Sequence, residues 1–290
     1  MTAAGARYPA PAKLNLFLHV VGRRSDGYHL LQTVFRFIDY GDELAFRIRD
    51  DALIRRTTQL DGLPEEGDLC VRAARLLQGH TGSPLGADIE LVKRLPLGGG
   101  LGGGSSDAAT TLIALNRLWK TGLPRVELQE LGLRLGADVP VFIFGRSAFA
   151  EGVGERLQEL VLEPAWYLVL VPEAAVSTAE IFSAAELTRN TNAITIAAFS
   201  VGHGSNESGF MVTGRNDLEP VVIRRYPQVA LHLEWLRQYG DARMTGSGAC
   251  VFCAFGSEAQ AARILAEAPA GMRGFVARGL DRHPLWSGDD

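Results

Sequence analysis

Residues 98–104 contain six glycines, Gly98–Gly100 and Gly102–Gly104, set between a strand-like segment and a helix-like one. Glycine in a regular element costs roughly 1 kcal/mol relative to alanine, so ordinary packing does not account for such a run. It suits a backbone that approaches a guest closely and turns its N–H groups inward. Upstream, Ala87–Leu95 alternates through Ile89 and Leu91 as a strand does. Downstream, Ala108, Leu112, Leu115 and Trp119 recur at helical spacing, with Ser105 or Ser106 as the expected cap. A flexible linker is seldom flanked so cleanly. The guest that fits is a phosphate chain, held by loop amides and by the positive end of the following helix. The segment is Pro96-Leu97-Gly98-Gly99-Gly100-Leu101-Gly102-Gly103-Gly104-Ser105-Ser106. A P-loop needs lysine where Gly104 stands. Gly98-x-Gly100-x-x-Gly103 matches the dinucleotide fingerprint literally, but Lys93, Arg94 and Pro96 precede the glycines, and a second helix follows where that fold has a strand.

Composition narrows the setting. With 47% apolar and 21% charged residues, the 290-residue chain can bury a substantial core. A net charge of -4 argues against nonspecific nucleic-acid binding. No apolar run reaches the ~18 residues of a membrane span, and Met1–Pro11 lacks the basic start and apolar run of a signal peptide. A soluble cytoplasmic protein is expected. Cys70, Cys250 and Cys253 are too few for a disulfide scaffold. Cys250-x-x-Cys253 has no second pair to complete a zinc site and lies in an apolar, strand-like run, so it reads as core. Lysine occurs only at 13, 93 and 120, in a chain whose default cation is arginine; such a lysine can mark a place that needs a compact point charge.

Leu14, Leu16, Leu18 and Val20 alternate in a strand over 13–21, which puts Lys13, Asn15, Phe17 and His19 on the opposite face. After an Asp26-Gly27 turn, strands are expected over 29–38 and 43–49, helices over 69–77 and 125–135, and an extended segment over 141–150. Pro164 is the expected boundary between residues 1–163 and 164–290. Beyond it come a strand (167–171), two helical stretches broken near Pro227, strands at Arg243 and over 250–255, a helix (258–267) and a strand (274–278). That order resembles a split βαβ layout. Gly202–Gly209, rich in Gly, Ser and Asn, reads as a mobile surface loop.

Three motifs, Pro11-Ala-Lys-Leu-Asn15, Pro96–Ala109 and Thr245-Gly-Ser-Gly-Ala249, resemble those of the GHMP kinases. Arg24-Ser-Asp-Gly-Tyr-His29 and Leu135-Gly-Ala-Asp-Val-Pro140 are similar to the members whose alcohol substrate carries cytidine diphosphate. The likeness runs from about residue 8 to residue 280. It implies an α+β, two-lobed GHMP-kinase fold, with an N-terminal ATP-binding lobe and a C-terminal, substrate-binding split-βαβ (ferredoxin-like) lobe. The implied reaction is ATP-dependent, Mg2+-assisted phosphorylation of an alcohol, by a monomer or weak homodimer with small-molecule partners and no nucleic acid or membrane.

The resemblance also implies site residues. Asp138 matches the catalytic carboxylate that takes the hydroxyl proton; alone it would read as an N-cap or turn aspartate. Lys13 matches the lysine that offsets charge on the transferring group; alone it would be a solvated strand-end lysine. Asn15, on Lys13's face, is expected to orient the alcohol. Pro96 through Ser106 would hold ATP, with Lys93 flanking the adenine and Ser105 or Ser106 near the metal. Where the family often has Asp-Asn before a helix, this chain has Gly67-Asp68-Leu69; Asp68 is the expected nucleotide contact there. Tyr28 and Phe182 would sandwich the cytosine, His29 would read its polar edge, and Thr178 would lie near the sugar or diphosphate. Two rival readings are a kinase for another small alcohol such as homoserine and a nucleotide-binding regulator without catalysis.

Overall fold

The computed structural model describes residues 6–60, 62–202, 204–206, 209–211 and 213–286, with side chains left undescribed over 200–212. The chain opens with two long antiparallel strands, β1 (Arg7–Arg23) and β2 (His29–Arg49). The two strands expected over 29–49 are one. Gly41 carries it past β1, where an added Cβ would stand 2.2 Å from the Ala10 carbonyl. Then follow β3 (Ile54–Arg56), α1 (Leu69–Thr81), β4 (Gly86–Val92), α2 (Gly103–Leu118), α3 (Arg125–Leu133), α4 (Val139–Phe144), β5 (Ala148–Gly152) and β6 (Arg156–Glu159).

The second half contains β7 (Trp166–Leu170), α5 (Thr178–Ser183), α6 (Ile196–Gly202), β8 (Gly204–Asn206), β9 (Gly209–Met211), α7 (Glu219–Arg225), α8 (Pro227–Leu236), β10 (Arg243–Met244), β11 (Val251–Phe255), α9 (Glu258–Ala266) and β12 (Gly274–Leu280). Strand order β10-β11-β7-β12, antiparallel throughout, is the split βαβ layout read from the sequence. Of the loop expected over Gly202–Gly209, the described part pairs β8 with β9, and the rest lies outside the described residues.

β12 also pairs with β2, through Gly279–Ile38 and Leu280–Phe37, and so joins both halves in one ten-stranded sheet. One core lies under α1–α4, a second under α7–α9, and a third between them, where Leu14, Leu16 and Phe17 meet Val169 and Phe252. The central position of β1 explains a departure from expectation. Both of its faces are covered, so Phe17 is as buried as Leu16, and a register shift between Asn15 and Leu18 interrupts the simple alternation.

The segment expected to be extended over 141–150 begins instead as a helix. Val139–Phe144 is apolar on every side, and a short apolar run does not distinguish strand from buried helix. Pro140 in the first turn and Gly145, left-handed at φ 74°, bound a helix wedged against Gly132 of α3, where an added Cβ would meet Val139 and Ile143 at 2.8 Å. Only Ala148–Gly152 is strand. The consequence is functional, because α4 begins directly after Asp138.

Candidate active site

The glycine loop leaves β4 through a turn built on Asp42. One carboxylate oxygen of Asp42 accepts from the amides of Arg94 (2.6 Å) and Leu95 (2.9 Å), and the other from Lys93 Nζ. Lys93 also donates to Asp107 in the first turns of α2, at 2.8 Å. Burial alone would lower the Lys93 ammonium; Asp107 and Asp42 outweigh it and hold Lys93 above its ordinary range. Burial pushes Asp107 up to about 7 against the pull of Lys93.

Neither expected serine caps α2. Its cap is Gly102, in the left-handed region at φ 72°, and Ser105 and Ser106 already lie within the first turn. Gly102 is required by its neighbours, since a Cβ there would press on Lys13 Cε and Phe142 at 3.0 Å. At Gly100 a Cβ would stand 2.2 Å from the Thr245 carbonyl. These two glycines thus serve the seam between the glycine loop, Lys13 and the 245–249 loop. No side chain caps the helix among the described residues, which leaves the first-turn amides to a guest. Residues 96–105 line a cleft of about 430 Å³ that also includes Lys13, Asn15, Lys93 and Asp138. Amides, a helix N-terminus and nearby ammonium groups fit a polyphosphate.

Lys13 is buried, and its three donors have three partners: Asp138 Oδ2 at 3.2 Å, the Gly100 carbonyl at 3.0 Å, and Asn15 Oδ1. A buried ammonium with fewer partners would lose several kcal/mol to desolvation. Asp138 is the N-cap residue of α4 by position, yet its side chain makes no capping bond and faces the cleft. Asn15 lines the cleft beside Lys13. Its oxygen is committed to Lys13, its Nδ2 donates to Thr33 Oγ1 at 2.9 Å, and so its amide supports the lysine directly. Thr245 Oγ1 accepts from the Asn15 amide and donates to the Gly100 carbonyl, tying three motifs together. Asn216 holds the same loop through the Met244 and Gly246 carbonyls.

Two expected nucleotide contacts are placed elsewhere. Asp68 lies outside the cleft lining: it caps α1 through the Cys70 amide at 2.7 Å and pairs with Arg56 at 2.6 Å, both its oxygens used. Ser106 is fully buried, its hydroxyl without a partner among the described residues, and does not line the cleft; Ser105 does. No group of three His, Cys, Asp or Glu suited to a metal occurs among the described residues. Asp138 is the carboxylate that lines the cleft and Ser105 lies at the start of the helix beside it, which fits a magnesium ion held chiefly by phosphate oxygens and water. Cys70, Cys250 and Cys253 are buried free thiols; burial pushes Cys250 and Cys253 up to about 12, well away from reactive thiolates.

A second cavity of about 510 Å³ adjoins the cleft and shares Leu31, Ala137, Val153, Thr178 and Phe182 with it. The Asp26-Gly27 turn, with Gly27 at φ 93°, presents Tyr28 at its rim and His29 in its wall. The His29 and Phe182 rings lie 5.0 Å apart, and Tyr28 is 65% exposed. Thr178 Oγ1 is 2.7 Å from Ser247 Oγ, joining α5 to the 245–249 loop within the second half. Burial, then the guanidinium groups of Arg189 and Arg23, hold His29 below the ordinary imidazole range. Sequence reasoning missed Asp42, Thr33, Asn216 and Arg189. Thr245 was named in a motif without a role.

The profile of the GHMP kinases N terminal domain matches residues 68–146, and that of the GHMP kinases C terminal matches residues 195–274. A protein of Nitrosospira multiformis named 4-diphosphocytidyl-2-C-methyl-D-erythritol kinase is 62% identical over 280 residues, covering 96% of this chain and 92% of that protein. The chain belongs to the 4-diphosphocytidyl-2-C-methyl-D-erythritol kinases, a branch of the GHMP kinases. A relative of the same name in Thiobacillus denitrificans is 62% identical over 279 residues, with 96% and 97% covered. The crystal structure of a 4-(cytidine 5'-diphospho)-2C-methyl-D-erythritol kinase superposes with a TM-score of 0.80 at 32% identity, covering 94% of this chain and 99% of that one.

Proposed function

We propose that this kinase transfers the γ-phosphate of ATP to the 2-hydroxyl of 4-diphosphocytidyl-2-C-methyl-D-erythritol, a step of isoprenoid precursor synthesis by the non-mevalonate route. The observation that carries this reading is the Lys13–Asp138 pair, 3.2 Å apart where the glycine-loop cleft meets the aromatic-walled cavity. A phosphate chain in the first and a cytidine end in the second bring a γ-phosphate and a hydroxyl together at that pair.

Phosphoryl transfer asks for alignment, a proton acceptor and compensation of negative charge. Asp138, whose carboxylate is free of capping duty, accepts the hydroxyl proton. Lys13, anchored by Asn15 and the Gly100 carbonyl, supplies fixed positive charge at the transferring group without reorganisation. The amides at the start of α2 and the glycine loop hold the phosphates, and Lys93, which lines the cleft, would flank the adenine. Ser105 and Asp138 would face a magnesium ion, which when bound offsets charge on the phosphate oxygens. Tyr28, His29, Phe182 and Thr178 receive the cytidine diphosphate end.

We place the division between lobes at residues 163 and 164, ahead of β7. We expect action as a monomer or a weak homodimer, and no helix among the described residues is long and apolar enough to cross a membrane. A cytoplasmic setting with small-molecule partners follows from this reading. The test is to incubate the purified chain with ATP and Mg2+ and, in parallel, the cytidine substrate or homoserine, and to follow the products by phosphorus NMR. A 2-phosphate formed in step with ADP supports the proposal; transfer to homoserine instead, or no transfer, overturns it.

A further inference from the structure

Arg189 lies in the irregular segment after α5, and its hydrogen bonds are specific. Its two terminal nitrogens donate to the carbonyls of Phe182 (3.0 Å), Ala184 (2.7 Å) and Leu187 (3.0 Å), which end α5 and the turn beyond it. Its Nε donates to His29 Nε2 at 3.1 Å. A guanidinium has five donors and no acceptor, so His29 Nε2 must carry a lone pair, and in the neutral ring the proton is on Nδ1. That nitrogen has no hydrogen-bond partner within the described residues, while the ring lines the second cavity against Phe182. One side chain thus fixes both the hydrogen-bonding sense of His29 and the backbone that carries its ring neighbour.

We propose that Arg189 is a positioning and specificity residue: it locks His29 in the tautomer protonated at Nδ1, so that the ring offers a donor to the base. O2 accepts in cytosine and uracil alike, so the discrimination lies at N3, where cytosine presents an acceptor that such a donor satisfies. Uracil presents N–H at N3, which opposes it. The inference rests on the cytidine reading above and deepens it. The charged groups around His29 are Arg189 from the segment after α5, Arg23 from the end of β1, and Asp26 in the intervening turn; the guanidinium groups favour the neutral ring that the lock requires.

Two experiments test it and fail separately. Nitrogen NMR of the ligand-free native protein, with histidine labelled, reads the tautomer without any substrate. Protonated Nδ1 with bare Nε2 on His29 is expected; the reverse overturns the inference whatever the enzyme phosphorylates. Steady-state kinetics of Arg189→Met then read the consequence. The KM for the cytidine substrate should rise roughly tenfold, the worth of one hydrogen bond, with kcat and the KM for ATP little changed. Preference over the uridine analogue should fall. The KM penalty should shrink as pH drops through the titration of His29, because the doubly protonated ring regains Nδ1–H without help. A folded variant with unchanged base preference and a pH-independent penalty would overturn the specificity role. Absence of turnover by the native enzyme on the cytidine substrate would overturn the functional reading and leave the tautomer result standing.

Discussion

At the scale of single residues, Lys13 shows what burial does to a charged group. In water its ammonium would be one of many; enclosed between β1 and the glycine loop, it has one partner for each N–H and a fixed direction. Replacing it by methionine keeps the bulk and removes the charge, so kcat should fall roughly 10²–10³-fold while the KM for ATP moves only a few-fold, read by steady-state kinetics. An equal loss spread into KM would mean that Lys13 binds ATP without favouring transfer. His283 is a buried group of another kind. Burial depresses its imidazole to about 3 from an ordinary 6.5, with the nearby Arg117 adding to the effect. The folded state therefore holds the neutral ring, and the stability this gives is present above pH 6.5 and lost as pH falls from there toward 3. Urea titrations of His283→Gln should lose stability with acid less steeply than the native chain, by about 1.4 kcal/mol per pH unit over that window; parallel slopes would contradict it. The scarcity of lysine in the sequence pointed to two of the residues that line the cleft, Lys13 and Lys93. Arg189 and Thr33 gave no such sign, because their roles depend on partners 160 and 18 positions away.

At the scale of elements, the glycine loop was legible as a place where backbone meets guest, but only the structure separates the glycines by role. Gly100 and Gly98 both have positive φ, 75° and 67°, yet a Cβ at 100 would strike the Thr245 carbonyl at 2.2 Å and one at 98 would meet nothing within 4 Å. Gly98→Ala should therefore cost about 1 kcal/mol of backbone strain. Gly100→Ala should cost more and raise the KM for ATP by displacing the loop from Lys13. Thermal unfolding and ATP kinetics on both variants check this, and equal effects would contradict it. The two misread elements have related causes. A short apolar run over 139–144 carries no period that tells helix from strand, and packing against α2 and α3 decides it. The serine cap failed because a left-handed Gly102 starts the helix earlier than any side chain could.

At the scale of the whole molecule, the split βαβ order was legible from alternating segments, whereas the β2–β12 pairing that fuses both halves into one sheet was not. Two residues of β12 make that join, and no local pattern announces a pairing across more than two hundred positions. The fused sheet sets the two cavities side by side, so that each can be weakened alone. Phe182→Ala should raise the KM for the cytidine substrate by the ~1–3 kcal/mol that base stacking contributes, roughly 5- to 150-fold, and leave the KM for ATP unchanged. Kinetics with each substrate varied in turn would show it, and a matching rise for ATP would contradict the assignment of the cavities. The account as a whole depends on Asp138 acting in the transfer step itself. The most direct test is a rapid-quench single turnover of Asp138→Asn with γ-labelled ATP and saturating cytidine substrate. Phosphoryl transfer should slow roughly 10²–10⁴-fold with both substrates still bound; transfer at the native rate would contradict the account.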